Sequence, residues 1–325
     1  MAEKIRVAIV AHGRRKIPSD GWGAVENIIY QYALRLQARG HEPIIVNVKW
    51  RWATWIVARL WMKRRIDVCH VHNERALSWL APVAQRLRLP VIVTSHYFFN
   101  AKNLDGEAEW GLKHLALCNR HICLNEETAN LIRERVPGAM VEVLPNGTEV
   151  SQFKFAKKGN GRAICVGKLQ ARKRQRIVAR LLTDAGIGCD FVGPLGDDAL
   201  DSEQAHLHLG EWTRQTLHDK LTDYSALVLY SEAEGQALVV VEALAAGLSV
   251  VVSTQASQNL DLSQPMVTVV DGEENLAEAC KAAIAHSDRH REQARQYALD
   301  NFDYDNLVFK YESLLKKLSG PFTPE

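Results

Sequence analysis

The stretch YSEAEGQALVVVEALAAGLSVVVST, from Tyr230 to Thr254, decides the fold class of this 325-residue chain. A strand predicted over Ala226–Tyr230 runs into a polar loop, a helix is predicted over Leu238–Ala246, and a second strand follows over Ser249–Ser253. Strand, helix and strand in this order form the repeating unit of a parallel sheet. The stretch therefore predicts an α/β fold.

The same alternation is repeated on both sides of this stretch. Further strands are predicted at Ile5–Ala11, Ile44–Val48, Val68–His72, Val91–Ser95, His121–Leu124, Val141–Leu144, Ala163–Val166 and Cys189–Val192. The basic, glycine-containing segment FKFAKKGNGR, Phe153–Arg162, interrupts the pattern and is interpreted as a linker. We therefore predict an N-terminal domain over residues 1–155, a C-terminal domain over 156–300, and a terminal helix over 301–325 that packs back on the first domain.

Bulk composition restricts the class of protein further. With 47% hydrophobic residues the chain has enough apolar side chains for two cores of ordinary size. A net charge of +2 gives no field that favours nucleic acid as a partner. The six cysteines lack the close spacing of a zinc or redox motif, and neither a signal peptide nor a membrane span is recognised. These features predict a cytoplasmic protein.

Two carboxylates in the first stretch are the leading site candidates. Glu234 lies in the loop after a strand, and Glu242 lies in the apolar run LVVVEALAA, where an unpaired charge is costly. Ligands of open α/β sheets bind at the carboxyl ends of strands, where helix N-termini present N–H groups to anions. The amides of the segment 235–238 are therefore predicted to face a phosphate, against the alternative of an exposed loop. That segment consists of Gly235, Gln236, Ala237 and Leu238.

The two glutamates with seven residues between them resemble the signature of the retaining glycosyltransferases of family four. The resemblance implies the GT-B fold, in which two Rossmann-like domains with parallel sheets face each other across a cleft. It also implies that Glu234 contacts hydroxyls of a donor sugar and that Glu242 binds the ribose of a nucleotide. The family usually has Phe-Gly where this chain has Gln236 and Ala237, which leaves the identity of the donor sugar open.

A basic loop, CVGKLQARKRQ from Cys165 to Gln175, follows another predicted strand. The family pattern here is Gly-Arg with a lysine five positions later, and Gly167, Lys168 and Lys173 occupy those positions. Lysine at position 168 keeps the charge but lacks the bidentate fork of arginine. By resemblance, Lys168 and Lys173 stabilise the departing diphosphate. The sequence shows no convincing metal site, and neither a metal nor a tightly bound cofactor is expected. A solvated basic loop is the alternative.

Two weaker matches lie in the N-terminal half. The loop SDGWGAVE resembles the family's glycine loop, although Trp22 separates Gly21 from Gly23. Glycine permits close approach of the backbone to a ligand, so Gly23 is predicted at the donor site, with a plain turn as the alternative. His96 follows a predicted strand, as does a histidine that contacts the donor sugar in this family, but a structural role is equally compatible with its position.

The segment KWRWATWIVARLWMKRR, residues 49–65, is not part of these motifs. It combines Trp50, Trp52, Trp55 and Trp61 with lysines and arginines. Tryptophan and basic charge suit the surface of an anionic membrane, whereas a core-packing helix would bury the tryptophans. We predict peripheral contact with the inner face of the cell membrane through this segment.

Together these motifs predict transfer of a sugar from a nucleotide diphosphate sugar to a glycan or lipid-linked acceptor, with retention of configuration. Synthesis of cell-surface polysaccharide or lipopolysaccharide is the expected context, and nucleic acid is not an expected partner. The alternatives are a sugar-nucleotide epimerase or phosphorylase on the same fold, and a non-catalytic protein that binds nucleotide sugars.

Overall fold

The computed structural model describes residues 4–19, 23–97, 99 and 106–320, without the side chain of Glu107. Gly21 and Trp22 of the predicted glycine loop lie outside the described residues. The chain divides into two compact units, Met1–Asn146 with Tyr304–Glu325, and Gly147–Asp303.

Strands and helices alternate along the described chain. The strands are β1 (Arg6–Val10), β2 (Glu42–Val46), β3 (Val68–Val71), β4 (Val91–Val93), β5 (Arg120–Cys123), β6 (Met140–Val143), β7 (Ala163–Val166), β8 (Cys189–Val192), β9 (Ala226–Leu229), β10 (Ser249–Ser253) and β11 (Val267–Val270). The helices are α1 (Ala24–Ala38), α2 (Trp50–Met62), α3 (Glu74–Leu87), α4 (Gly106–Leu115), α5 (Glu126–Arg135), α6 (Gln175–Asp184), α7 (Arg214–Lys220), α8 (Leu238–Ala245), α9 (Leu276–Phe302) and α10 (Tyr304–Ser319). In the described part of the chain, no helix combines the length and the apolar character that crossing a bilayer needs.

The first unit is built on a parallel sheet in the order β2-β1-β3-β4-β5-β6. In the interior strand β1, Val7 pairs with Pro43 on one side and Val68 on the other. The strand is buried because helices cover both faces of a parallel sheet. Since α1 leads from β1 to the edge strand β2 and α2 to α5 lead the other way, right-handed crossovers place α1 on one face and α2 to α5 on the other.

The last helix, α10, belongs to the first unit and packs against α1. The hydroxyl of Tyr311 lies 2.7 Å from Nδ1 of His70 in β3. The next residue of α10, Glu312, is also buried. Its Oε2 lies 2.6 Å from Nη2 of Arg39 and 3.2 Å from Nε2 of His41. These contacts fix α10 to the first sheet and to α1.

The Glu312 cluster makes the stability of the first unit depend on pH. Burial acts to raise the pKa of Glu312, but hydrogen bonds from Lys316, Arg39 and His41 outweigh it and lower the pKa to about 2. A carboxylate whose pKa is lowered by folding stabilises the fold at pH values above its ordinary pKa of 4.5, and this contribution is lost as the pH falls toward the pKa of the folded state.

We expect Glu312→Gln to lower the free energy of unfolding by about 2 kcal/mol at pH 7 and by about 1 kcal/mol or less at pH 3, measured by urea unfolding. The exposed Glu134→Gln serves as the control and should change stability by less than about 0.5 kcal/mol at both pH values; a Glu312 effect that does not depend on pH contradicts this account.

The second unit contains a parallel sheet in the order β11-β10-β9-β7-β8. Its edge strand β11, VTVV, was not among the predicted strands. The helix α8 follows the central strand β9, and its apolar residues Val240, Val241, Ala243, Leu244 and Ala245 are all buried. This burial explains why Glu242 is surrounded by hydrophobic residues in the sequence.

Arg291 holds the second unit together from inside. It lies on the long helix α9 and is only 1% exposed. Its guanidinium donates to the carbonyl of Ala156 at 2.6 Å, the carbonyl of Tyr224 at 2.8 Å and Oγ1 of Thr222 at 3.1 Å. One side chain therefore joins α9 to the segment before β7 and to the turn before β9.

The predicted linker Phe153–Arg162 lies inside the second unit. Phe153 is buried, and the carbonyl of Ala156 accepts a hydrogen bond from Arg291. The lysine side chains of this segment, such as that of Lys157, are exposed. The linker-like composition therefore reflects the exposed surface of a packed segment. The units change at Gly147 and Tyr304, so their limits differ from the predicted 155/156 and 300/301.

Candidate functional site

The carboxyl ends of β7 and β9 bring two of the predicted site residues of the second unit into contact. Lys173 ends a short 3-10 helix after β7, and Glu234 lies in the loop after β9. Nζ of Lys173 is 3.6 Å from Oε1 of Glu234. Both side chains are largely buried, which strengthens the attraction between their charges.

Gly167 allows the lysine to take this position. Gly167 has a φ of +142°, and a Cβ built there would lie 2.8 Å from Nζ of Lys173. Any side chain at 167 would therefore displace the ammonium group or strain the backbone. The glycine of the Gly-Lys pair is explained by this close approach.

Lys168 has a different environment from Lys173. Its side chain is exposed, and the described residues provide no ion-pair partner for it. Its carbonyl accepts a hydrogen bond from the side chain of Gln175 at 3.1 Å, which fixes the backbone at the end of β7. Lys168 is thus an exposed cation on a fixed backbone position, in contrast to the largely buried Lys173.

Glu234 is held by more partners than the sequence indicated. Ser231 donates its hydroxyl to Oε1 of Glu234 at 2.9 Å. Arg172 donates to the same oxygen at 3.3 Å and to the carbonyl of Ala233 at 2.5 Å. Arg172 is a site residue that motif reasoning missed, because the basic loop gave no signal that distinguished it from its neighbours.

Glu242 has the partner that its apolar surroundings require. It is 6% exposed, and its Oε1 accepts a hydrogen bond from Nη1 of Arg214 at 2.6 Å. Arg214 is the first residue of α7. A pair separated by 28 positions has no periodic signal in the sequence, so the need for a partner was predictable but its identity was not.

The predicted phosphate-facing amides lie between the two glutamates. Ala237 occupies the N-cap position of α8, where no side chain caps the described helix, and Leu238 is its first residue. The first N–H groups of any helix have no partner within that helix, and the helix dipole is positive there. Gly235 and Gln236 complete the loop and are half-buried. This arrangement suits a ligand with negative charge.

The remaining predicted residues belong to the first unit. His96 follows β4, and its Nε2 lies 3.1 Å from Nδ1 of His72. Burial, with a smaller contribution from the charge of His12, lowers the pKa of His96 to about 4. Burial likewise lowers the pKa of His72. Both imidazoles are therefore neutral at pH 7 and act as hydrogen-bonding groups.

The packing at the start of α1 leaves no room for a side chain at Gly23. A Cβ at this position would lie 2.4 Å from Oγ of Ser19 and 3.1 Å from Oε2 of Glu26. Glu26 is itself buried, with Oε1 at 3.0 Å from Nε2 of His12. Local crowding accounts for glycine at this position, and its contact with a donor stays a prediction.

Within the residues that the structure describes, no three His, Cys, Asp or Glu side chains are grouped as metal ligands would be.

Comparisons with known proteins match a part of the chain to a family model and nearly the whole chain to solved structures. Residues 47–152 match the model described as Glycosyltransferase Family 4, a match that falls mainly in the first unit. No curated protein sequence matches the chain.

Solved structures with similar folds cover nearly the whole chain. Sucrose-phosphate synthase from Thermosynechococcus elongatus has 14% identity and a TM-score of 0.75, over 96% of this chain and 98% of that one. The Anabaena protein Alr3699/HepE in complex with UDP and glucose has 14% identity and a TM-score of 0.71, over 96% and 100%. The lipopolysaccharide outer core galactosyltransferase WaaB has 12% identity and a TM-score of 0.67, over 96% and 99%. The match over residues 47–152 confirms the predicted resemblance to family four for that segment, and the solved structures confirm the predicted α/β GT-B fold.

Proposed function

We propose that this chain, which has the GT-B fold and a segment of Glycosyltransferase Family 4, transfers a glycosyl unit from a nucleotide diphosphate sugar to a glycan or lipid-linked acceptor. The observation that carries the proposal is the contact between Lys173 and Glu234. The two residues follow strands of the same sheet, and the ammonium of Lys173 lies against Gly167. A carboxylate accepts hydrogen bonds from sugar hydroxyls, and an adjacent cation neutralises a phosphate. This pair can therefore act on the two halves of a sugar–phosphate bond.

Each part of the donor has a proposed binding group in the second unit. Glu242 accepts the ribose hydroxyls, the start of α8 receives the diphosphate, and Glu234 accepts hydroxyls of the sugar. The similar protein HepE forms a complex with UDP and glucose, which supports a uridine nucleotide as the first donor to test. Lys168 and Lys173 supply the positive charge that stabilises the anionic leaving group. The proposal therefore includes no metal and no tightly bound cofactor.

The proposed reaction retains the configuration at the anomeric carbon. The bond from the anomeric carbon to the diphosphate oxygen breaks while the acceptor oxygen attacks from the same face. The acceptor proton passes to the departing phosphate oxygen, and the diphosphate leaves with the bonding electron pair. Lys173 supports this step because it stabilises the charge that accumulates on the leaving oxygen.

A thermal-shift screen against nucleoside diphosphates and their sugars tests the donor assignment. We expect one nucleotide and its sugars to raise the melting temperature, because a ligand that binds only the folded state stabilises it. A screen in which none of them changes the melting temperature contradicts the proposal.

The two glutamates are expected to have separable roles. Glu242→Gln should weaken binding of the free nucleoside diphosphate about tenfold or more. The reason is that the contact between the ribose and the carboxylate forms whether or not the donor sugar is attached to the diphosphate. Glu234→Gln should leave that binding within about twofold and impair transfer instead. Calorimetry with the free nucleotide distinguishes the variants, and an equal loss of binding in both shows that the roles are wrongly assigned.

The acceptor side of the proposal rests on the helices α2, α3 and α4, here called the aromatic layer. These neighbouring helices lie on one face of the first sheet and carry every tryptophan that the described residues expose. The exposed tryptophans are Trp52, Trp55, Trp79 and Trp110. Indole rings favour the interface between a membrane and water.

The charge of the aromatic layer suits an anionic surface. Residues 49–65 contain basic side chains and no acidic one. The guanidinium of Arg59 lies over the ring of Trp55, and that of Arg75 lies over the ring of Trp110. Because each of these cations accompanies an exposed ring, insertion of the indoles would bring positive charge to the headgroups. We propose that the protein is cytoplasmic and binds the inner face of the cell membrane through this layer.

Vesicle co-sedimentation tests the membrane proposal. The protein should sediment with phosphatidylglycerol vesicles at low salt and stay in solution at about 1 M salt, where charges are screened beyond about 3 Å. The double variant Trp52→Ser/Trp55→Ser should lose most of this binding. A matched double variant in the second unit, Leu195→Ser/Leu262→Ser, also removes two exposed apolar side chains and should bind as the wild type does.

Two results contradict the membrane proposal. Equal binding of the tryptophan variant and the wild type shows that the aromatic layer is not the contact surface. Sedimentation of neither, with dimers detected by light scattering, shows that a second copy of the chain covers this layer.

A further inference from the structure

Arg214 and Glu242 form a pair whose two members have different environments. The carboxylate of Glu242 lies on the buried helix α8, whereas the side chain of Arg214 is 41% exposed at the start of α7. One guanidinium N–H donates to Oε1 of Glu242 at 2.6 Å. The arginine therefore reaches the carboxylate from its solvent side, from which a nucleotide would also approach it.

The helix that carries Arg214 is fixed independently of this contact. Thr213 caps α7 by accepting a hydrogen bond from the N–H of Thr216 at 3.1 Å. Leu217 and His218 on the same helix are buried. The ring of His218 packs against that of Phe153, with 4.6 Å between the ring centroids. Replacing Arg214 should thus change the carboxylate environment without detaching α7.

A carboxylate has about four acceptor positions on its two oxygens, and Arg214 uses one of them. This hydrogen bond, together with the burial of Glu242, restricts rotation of the carboxylate. The acceptor positions that remain are then oriented before any ligand binds. A vicinal diol, with two O–H donors on adjacent carbons, is the chemical group that such a fixed pair of acceptor positions recognises best.

We infer that Arg214 is a positioning residue that orients Glu242 toward the ribose diol and so gives the protein its preference for ribonucleotides over 2′-deoxyribonucleotides. The inference rests on the proposed function, in which Glu242 binds the ribose. It adds a residue outside the two-glutamate signature, from a different helix. The property that it controls is a ratio of affinities for two nucleotides, which a merely structural role does not change.

The test compares binding of two probes by calorimetry. The first is the nucleoside diphosphate that the thermal-shift screen selects among UDP, GDP, ADP and CDP, and the second is its 2′-deoxy analogue. In the wild type the ribonucleotide should bind about tenfold tighter, as expected for a hydrogen bond to a charged group. Arg214→Gln should reduce this ratio to near one, and Arg214→Lys should restore part of it.

Two further variants serve as controls. Glu242→Gln should abolish the preference, and combining it with Arg214→Gln should cause no additional loss, because the arginine acts through the glutamate. Gln215→Ala, at the next exposed position of α7, should keep the wild-type ratio. Melting temperatures of all variants check that each is folded.

The outcomes separate the inference from the proposed function. If Glu242→Gln loses the preference and folded Arg214→Gln keeps it, the inference is wrong while the proposed function stands. If the wild type binds none of the diphosphates, or Glu242→Gln keeps the preference, the assignment of Glu242 and the inference fail together.

Discussion

Replacing Lys173 with alanine is expected to lower turnover about 100-fold or more, the loss that accompanies removal of one electrostatic stabiliser from an active site. The side chain of Lys173 is largely buried, and its ammonium lies beside Glu234 and directly against Gly167. Its position is therefore fixed before the substrate binds. Charge that develops on a departing diphosphate then meets a cation that needs no rearrangement. Turnover is measured as release of the nucleoside diphosphate at saturating donor.

Two variants refine this prediction. Lys173→Arg keeps the charge but is larger than the space over Gly167 allows, so only partial activity is expected. Arg180→Ala removes an exposed cation from α6 and should leave turnover unchanged. Near-normal activity of Lys173→Ala would remove Lys173 from the catalytic site.

The largest expected loss of stability comes from Arg291→Met. The variant leaves the carbonyls of Ala156, Thr222 and Tyr224 without their buried donor. Each unsatisfied buried polar group costs about 1–3 kcal/mol, so the second unit should lose about 3–5 kcal/mol. Calorimetric melting should show a lower melting temperature for one transition only, since the first unit lacks this contact.

Arg289→Met is the matched control for this prediction. It makes the same substitution two positions earlier on α9, at an exposed site, and should change stability by less than about 0.5 kcal/mol. Equal effects of the two substitutions would show that the loss comes from helix propensity or net charge, and not from the buried hydrogen bonds.

The alternation of strands and helices was predictable because parallel strands are buried on both faces. Such strands are runs of branched apolar residues, and β1 lies within the predicted Ile5–Ala11 while α8 ends one residue before the predicted Ala246. The strand β11 was missed because Val267–Val270 follows a turn-rich segment with no predicted helix to pair it with. Burial of Phe153 was missed because the lysines around it dominate the local composition.

The candidate site was predictable to the extent that its residues follow strands. Gly167, Lys173 and Glu234 each follow the end of a strand, where parallel sheets collect their functional groups. Arg172 reaches Glu234 across 62 positions, and no local pattern marks such a contact. Tertiary packing alone decides which of several neighbouring cations turns toward the carboxylate.

The tryptophan-rich segment places its indoles in two environments, so the alternative in which all four tryptophans are buried is wrong. Trp61 packs in the first unit and donates to the carbonyl of Leu87 at 3.0 Å, whereas Trp52 and Trp55 are exposed. One helix thus has a packing face and an exposed aromatic face. Helical periodicity separates the two sets, but the sequence does not say which face meets the core.

The central claim is glycosyl transfer from a nucleotide sugar, and proton NMR of the anomeric region tests it most directly. The wild type is incubated with the sugar of the selected nucleotide and a lipid extract or glycan as acceptor. The account predicts that the donor anomeric signal decreases, that the nucleoside diphosphate is released, and that the new glycosidic signal has the same anomeric configuration. Conversion to an epimeric nucleotide sugar, formation of a sugar 1-phosphate, or binding of the donor without consumption by any acceptor would contradict it.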